Sequence, residues 1–323
     1  MARWLAGRLA QAIVTAAVAA ALAFFLMRAA PGDPLAQLSD DRPISAAEVA
    51  ALRARYGLDQ PLGRQFASFA SALARGDLGT SIEHARPVGS LLAERMPASL
   101  LLGGTVLLIT FACGAWLGAL QAVRRGGWLD RLLGNASLAA YAMPSFWLAL
   151  LLVWLVAIEW RLLPATGMRD PFIPDSAGAG ARWLDLLRHL VLPALTLAAV
   201  NIAATMRHQR SAMLEALALP FVRAARARGL TERQVIWRHA WRNALFPVVT
   251  LFGLWLPLLV TGSVFVEKVF AWPGLGALAA DAIGSRDYPL LMGATLLVTA
   301  LVIAGGLIAD AAYAALDPRV RRP

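Results

Sequence analysis

The chain has 323 residues, of which 59% are hydrophobic and only 15% charged, and it carries a formal net charge of +10. Soluble domains run near ~45–50% apolar and ~25% charged, so water is excluded as the sole solvent and a bilayer is the natural alternative. One cysteine, Cys113, excludes a disulfide within a single chain.

Six stretches are free of Asp, Glu, Lys and Arg: Leu9 to Met27, Pro97 to Val123, Leu132 to Ile158, Leu190 to Met206, Ala244 to Val266 and Tyr288 to Ala309. Each has roughly the ~17–25 residues that cross a hydrocarbon core as a helix. The pattern predicts an all-α polytopic membrane protein with six transmembrane helices. The first run, with Arg3 and Arg8 ahead of it, shares its opening with a secretory signal peptide. It exceeds the usual ~7–15-residue apolar core, and Arg28 follows where a small-residue cleavage site belongs, so a transmembrane helix is expected.

The charges follow the membrane. Arg207, Arg210, Arg223, Arg226, Arg228, Arg233, Arg238 and Arg242 face only Glu215 and Glu232 within 207–242, and Arg3, Arg8, Arg124, Arg125, Arg131, Arg319, Arg321 and Arg322 fall on the same side. The alternate segments 159–189 and 267–287 are nearly balanced, which predicts a cytoplasmic location for both termini. The basic character is thereby assigned to topology, and no nucleic-acid partner is expected.

Residues 1–30 read as a tail and the first span. The segment 31–96 reads as an extracytoplasmic helical subdomain. Ser45 and Glu48 have capping-box spacing with Gly57 placed to close that helix, and a second helix runs from Leu62 to Arg75 with Phe66, Phe69 and Leu73 on one face and Gly76 after it. It is either a docking surface for an external partner or a connector that packs on the membrane helices. The loop 161–188 is rich in Pro and Gly and marks turns.

Residues 97–323 read as a five-helix core interrupted by the segment 207–242. There the fourth helix continues to Leu219, Pro220 opens a short helix as a first-turn residue, Gly229 stops it, and Thr231 with Gln234 forms a second capping box. The short helix exposes Ala224, Ala225 and Ala227 among arginines. From spacing alone it is a contact for a partner or a solvated basic loop.

Several chemistries are missing. No stretch matches the glycine-rich loop that cradles nucleotide phosphates, and Lys268 is the sole lysine. No ionisable residue lies at depth in the six runs, as an ion-coupled carrier would require. His84, His189, His208 and His239 have no metal-ligand spacing, so neither a metal nor a cofactor is expected. Asn201 and Thr205 lie one turn apart and either line a translocation path or bond helix to helix. A solute-moving chain without motor or coupling residues reads as part of an assembly. The alternative is a self-sufficient secondary carrier or channel.

The order of local motifs then becomes recognisable. FLMRAAPGDP (25–34), YGLDQPLGRQF (56–66), RGDLGTS (75–81), RPVGSLLAERMPASLLL (86–102), HLVLPALTLA (189–198), FVRAARARGLTERQVIWRHAWRNALFPVVT (221–250), GSVFVEKVFAWPGLG (262–276) and RDYPLLMG (286–293) run nearly end to end. Together they resemble the permease subunits of dipeptide/oligopeptide-type, binding-protein-dependent ABC importers, of the type I permease fold. The long outer loop is similar to that of the first of two permeases. The resemblance implies a bacterial-type inner membrane location, a heterodimer with a second permease, two ATP-binding subunits and an extracytoplasmic solute-binding protein. It further implies that the helix around Arg223, Ala224, Ala225, Arg226, Arg228 and Gly229 is the coupling helix. The general loop signature, Glu-Ala-Ala and then Gly, falls on Arg223, Ala224, Ala225 and Gly229, with the Glu replaced. The solute, among dipeptides, longer peptides, glutathione, nickel and others, is not encoded in these motifs.

Overall fold

A computed structural model of the chain describes residues 2–29, 46–55, 57–174, 176–255 and 264–316. Among the described residues the named elements are all helices, beside one isolated β-bridge between Thr80 and Pro87. In chain order they are α1 (Ala2–Ala29), α2 (Ala46–Arg55), α3 (Leu62–Ala74), α4 (Val88–Val123), α5 (Trp128–Ala142) and α6 (Ser145–Leu152), the last prolonged by a π-helical stretch, Val153–Glu159. Then come α7 (Ala179–Ala218), α8 (Pro220–Ala227) and α9, which joins Glu232–Gln234, a π stretch Val235–Ala240 and Trp241–Ala244. The remainder is α10 (Phe246–Trp255), α11 (Val264–Val269), α12 (Leu275–Gly284) and α13 (Tyr288–Leu316).

Among the described residues, four helical stretches are long and apolar enough to cross a membrane: Gly7–Ala29, Val88–Val123, Ala179–Ala218 and Tyr288–Ile308. They cover four of the six predicted runs, the last of them to within one residue. The third run departs from expectation, because α5 and the α6 stretch meet at a bend of 103° and do not form one straight span. The break falls at Met143, which adopts φ −82° and ψ 131° ahead of Pro144. Clash with the pyrrolidine ring pushes the preceding residue out of the helical region, and the proline contributes no N–H to continue the ladder. The fifth run appears as α10 and α11, and its middle, 256–263, lies outside the described residues.

Two helices also begin earlier than the uncharged runs indicate. Helix α4 starts at Val88 and passes through Pro97, and α7 starts at Ala179 and passes through Pro193. Proline is tolerated inside membrane helices where neighbouring elements satisfy the freed backbone groups. The segment after Gly178 is therefore helix and not turn.

The centre of the molecule is the α4–α7 pair. Gly114 and Gly118 let the two backbones come together: a Cβ on Gly114 would stand 2.8 Å from Thr205 Cβ, and one on Gly118 would stand 2.4 Å from the Met206 carbonyl oxygen. Small residues permit this approach, which replaces the hydrophobic drive that is weak between helices in lipid. At 1.5 Å per residue, α7 is about 60 Å long. It is one continuous helix from Ala179 to Ala218.

A short helix between α1 and α4 packs on α1. Helix α3 spans Leu62–Ala74, as its spacing predicts, and is followed by Gly76 at φ 76°. Its Phe66 and Phe69 meet Phe24 and Phe25 of α1 at centroid distances of 5.3 to 5.4 Å. Such aromatic pairs contribute about 0.5–1.5 kcal/mol each beyond area burial. Helix α2 is followed by Gly57 at φ 62°, whereas the predicted cap Ser45 lies outside the described residues.

The connection from α11 to α13 is held by buried polar groups. Glu267 is fully buried, and its Oε2 accepts the Ala277 N–H at 2.8 Å in the first turn of α12. Ser99 of α4 accepts the Leu275 N–H at 2.7 Å, and Trp272 Nε1 donates to the Ala98 carbonyl at 2.9 Å. Two otherwise unsatisfied donors at the α12 N-terminus thus find partners, and a carboxylate there is favoured by the helix dipole. Asp287 is buried in the same way: it accepts from Ser81 Oγ at 2.5 Å, from the Glu83 N–H at 3.2 Å and from the Leu290 N–H at 3.2 Å, tying the loop before α4 to the start of α13.

Candidate functional site

The segment after α7 folds as its local signals require. Pro220 occupies the first turn of α8, where its missing N–H leaves no intrahelical bond unmade. Gly229 follows at φ 79°, a left-handed conformation that glycine adopts without steric cost. Its N–H donates to the Arg226 carbonyl at 2.9 Å, and Leu230 N–H donates to the Ala225 carbonyl at 3.4 Å, closing the helix end. Thr231 and Gln234 then form the reciprocal capping box: Gln234 N–H donates to Thr231 Oγ1 at 3.4 Å, and Thr231 N–H donates to Gln234 Oε1 at 3.1 Å.

Packing sorts the faces of α8. Val222 and Ala225 are fully buried in a cluster with Ala119 and Ala122 of α4, Met213 and Ala216 of α7, and Val235, Ala240 and Ala244 of α9. Phe221, Arg223, Ala224, Arg226 and Arg228 are exposed. The six residues expected at the coupling helix therefore divide. Ala224, Arg223 and Arg228 lie on the open face, Gly229 sets the turn, and Ala225 anchors the helix to its own chain.

Arg226 is occupied within the segment, donating through Nε to Glu232 Oε1 at 2.7 Å and through Nη2 to Glu232 Oε2 at 3.3 Å. The hydrogen bond from Arg226 holds the Glu232 carboxyl below its usual range, and the guanidinium is raised by the same contact. Both groups are exposed, so the pair fixes the orientation of α8 against α9 more than it adds stability. Trp237 and Trp241, with ring centroids 5.4 Å apart, line the partly buried margin of the cluster.

Asn201 and Thr205, expected either to line a path or to bond helix to helix, behave differently. Thr205 is 1% exposed and sits in the α4–α7 contact against Gly114, so it faces a neighbouring helix. Asn201 is half-buried and donates to the Leu197 carbonyl of its own helix at 2.7 Å.

Sequence reasoning missed the buried acids. Spacing linked neither Glu267 to Ala277 nor Asp287 to Ser81, because each contact closes through space. Folding also brings one ligand atom each of Glu83, His84 and Asp287 within 4.8 Å of one another. There Asp287 Oδ2 is already engaged by Ser81 and the Glu83 N–H, so the carboxylate serves as a cap and a tether.

Long apolar helices, two of them packed on a short helix that follows the longest, define a polytopic membrane protein. Two family models place it more closely: one described as the N-terminal part of a binding-protein-dependent transport system membrane component matches residues 1–103, and one described as the inner membrane component of such systems matches residues 114–322. The chain belongs to the family of binding-protein-dependent transport system inner membrane components. It is 36% identical over 315 residues to the dipeptide transport system permease protein DppB of Escherichia coli, with 93% of each chain covered. Over 300 residues it is 37% identical to the oligopeptide transport system permease protein AppB of Bacillus subtilis, again covering 93% of each. The di/tripeptide transport system permease protein DppB of Pseudomonas aeruginosa is 36% identical over 336 residues, covering 99% of each.

The chain is accordingly a non-catalytic, inner-membrane permease subunit of an ABC importer, and ATP hydrolysis belongs to separate subunits. A self-sufficient carrier or channel is not favoured.

Proposed function

We propose that this chain forms half of the translocation path for peptides or a similar small solute, delivered by an extracytoplasmic binding protein, and that α8 is its coupling helix. The assembly is a heterodimer with a second permease, served by two ATP-binding subunits on the cytoplasmic side, where both termini also lie. The single observation that carries the coupling role is the division of α8: Val222 and Ala225 are fully buried within the chain while Phe221, Arg223, Ala224 and Arg228 stand outward. A solvated loop has no reason to be braced from behind and left open in front. A helix that must transmit force has both needs.

The mechanism follows from the connections. Closure of the ATP-binding subunits displaces α8. Its buried side pushes the inner ends of α4 and α7 together, because Val222 and Ala225 pack on Ala119, Ala122, Met213 and Ala216. The glycine contacts at Gly114 and Gly118 make α4 and α7 one body, so the displacement travels along that body as a rigid motion. Alternating access results when this body rocks against its counterpart in the second permease. Peptides are the favoured solute class because the relatives named above are permeases of dipeptide, di/tripeptide and oligopeptide systems.

The test is co-purification of the tagged chain from its native membrane, with the bound proteins identified and ATPase and uptake assayed. Recovery of a second permease and ATP-binding subunits, lost when Ala224 is replaced by Arg in a chain that still folds, supports the coupling role. A chain that purifies alone and moves solute without ATP overturns the reading.

A further inference from the structure

At the inner end of the α5–α7 contact lies a cavity of about 550 Å³ lined by Gln121, Asp130, Arg131, Asn135, Arg207 and Arg210, among others. Its charges are not balanced. Arg210 is neutralised by Asp130, with Nε to Oδ1 and Nη2 to Oδ2 both at 3.0 Å, and Asp130 further accepts the Gly126 N–H at 3.0 Å. Arg131 and Arg207 have no ion pair among the described residues; Arg207 lies over the Tyr141 ring at 4.9 Å. Among the described residues, two guanidinium charges therefore border one cavity without a counter-ion.

A second observation concerns Gln121, which is 3% exposed. Its Nε2 donates to the Asp130 carbonyl at 3.0 Å, which identifies Oε1 as the acceptor, and Oε1 is buried with no hydrogen-bond partner. A buried acceptor left unmade costs about 1–3 kcal/mol, so this wall of the cavity calls for a donor. The occupant must offer an anion to the arginines and a hydroxyl or ammonium to Gln121.

The surroundings narrow the source. Leu132, Leu138 and Tyr141 of α5 are each more than half exposed, as is Trp128 at its start, so the cavity opens beside an apolar surface. Its depth is that of the α8 cluster, since Ala119 and Ala122 of α4 belong to that cluster and Gln121 lies between them in sequence. Basic pockets between membrane helices on the cytoplasmic side are suited to phospholipid headgroups.

We propose that this cavity binds an anionic phospholipid whose headgroup carries a hydroxyl, as phosphatidylglycerol does. Arg131 and Arg207 hold the phosphate, Gln121 Oε1 accepts from the headgroup hydroxyl, and the acyl chains lie along the exposed leucines of α5. The site would seat lipid where the bent α5–α6 pair meets α7, next to the body that transmits the coupling motion.

The experiment uses the intact transporter in nanodiscs of dioleoyl-phosphatidylglycerol mixed with dioleoyl-phosphatidylcholine, followed by release into detergent and native mass spectrometry of retained lipid. Wild type is expected to retain phosphatidylglycerol selectively. At about fivefold per arginine, the R131Q/R207Q variant should bind it roughly 25-fold more weakly. R131K/R207K should stay within a few-fold of wild type, because a phosphate accepts point charges as well as a planar fork. Absence of phosphatidylglycerol selectivity in wild type overturns the proposal, and this arm needs no variant. Equal retention by wild type and R131Q/R207Q overturns it too. Displacement by millimolar inorganic phosphate or by a dipeptide would assign the cavity to a soluble anion and likewise overturn the lipid assignment.

Discussion

Gly118 of α4 faces the backbone of Met206 in α7 so closely that a Cβ on the glycine would stand 2.4 Å from the Met206 carbonyl oxygen. The obstruction is backbone, not the end of a flexible side chain, so it does not yield to a rotamer change. The approach couples two elements that the proposed mechanism moves as one.

Gly118→Ala is therefore expected to be destabilising although alanine favours helix. The propensity gain is about 1 kcal/mol, and overpacking of a tight contact costs about 1–3 kcal/mol. Gly118→Leu should fall further. Thermal unfolding in detergent reads the order wild type, Ala, Leu; a Gly118→Leu chain that melts with wild type would show that the helices separate freely here.

Adjacent alanines in α8 should respond in opposite ways. Ala225 is enclosed by the chain, so Ala225→Leu is expected to lower stability by about 1–3 kcal/mol. Ala224 is exposed, so Ala224→Leu should leave the melting temperature within error while reducing recovery of ATP-binding subunits and uptake. Melting curves and pull-downs on the two variants separate the cases, and identical behaviour would contradict the sorting of faces.

Gly229 has open space around a built Cβ, so its requirement is backbone conformation alone. Gly229→Ala is expected to cost about 1–2 kcal/mol locally, and Gly229→Val more, by disfavouring φ 79°. The predicted phenotype is ATP hydrolysis that persists while uptake falls. Wild-type uptake by Gly229→Val at normal expression would remove this turn from the coupling path.

Glu267 lies outside the apolar runs and makes stability depend on pH. Burial pushes its carboxyl up from 4.5 to about 6, with the Ala277 and Gly276 N–H groups and the Ser99 hydroxyl opposing. A raised carboxyl binds its proton more tightly in the folded chain, so folding is favoured at low pH by this group. That contribution is lost as pH rises from about 4.5 to about 6 and is constant above, a change on the order of 2 kcal/mol. Glu267→Gln should flatten this part of the stability profile. An unchanged profile in that variant would place the titration elsewhere.

Asp287 accepts three hydrogen bonds at the start of α13, so Asp287→Ala should remove the cap and the loop tether together. Caps are worth about 0.5–2 kcal/mol, and the exposed Glu83–Arg86 turn should become a site of limited proteolysis. Ser81→Ala loses one bond and should give a smaller shift of the same kind. Protease resistance equal to wild type in Asp287→Ala would show the loop is held by other contacts.

How much of this could be read without coordinates depends on the range of each interaction. Composition and charge-free runs identify a polytopic helical membrane protein, because a bilayer allows a spanning segment few charges and requires internal backbone bonding. Pro220, Gly229 and the Thr231–Gln234 pair place the short helix nearly to the residue, since caps and positive-φ turns are decided within a few residues of chain. The motif order indicates the family for the same reason: its signatures are contiguous.

The tertiary structure decided what is set across the chain. It turned the Leu132 to Ile158 run into a bent pair, placed Ala225 inside and Ala224 outside, and set Thr205 in the α4–α7 contact. It also paired Glu267 with the α12 N-terminus, Ser81 with Asp287, and Asp130 with Arg210 at a separation of 80 residues. An alanine reads the same on either face of a helix, and a carboxylate reads the same whether it caps a distant helix or meets water. Only packing in three dimensions assigns those roles, because burial and hydrogen bonding depend on neighbours that the local sequence does not name.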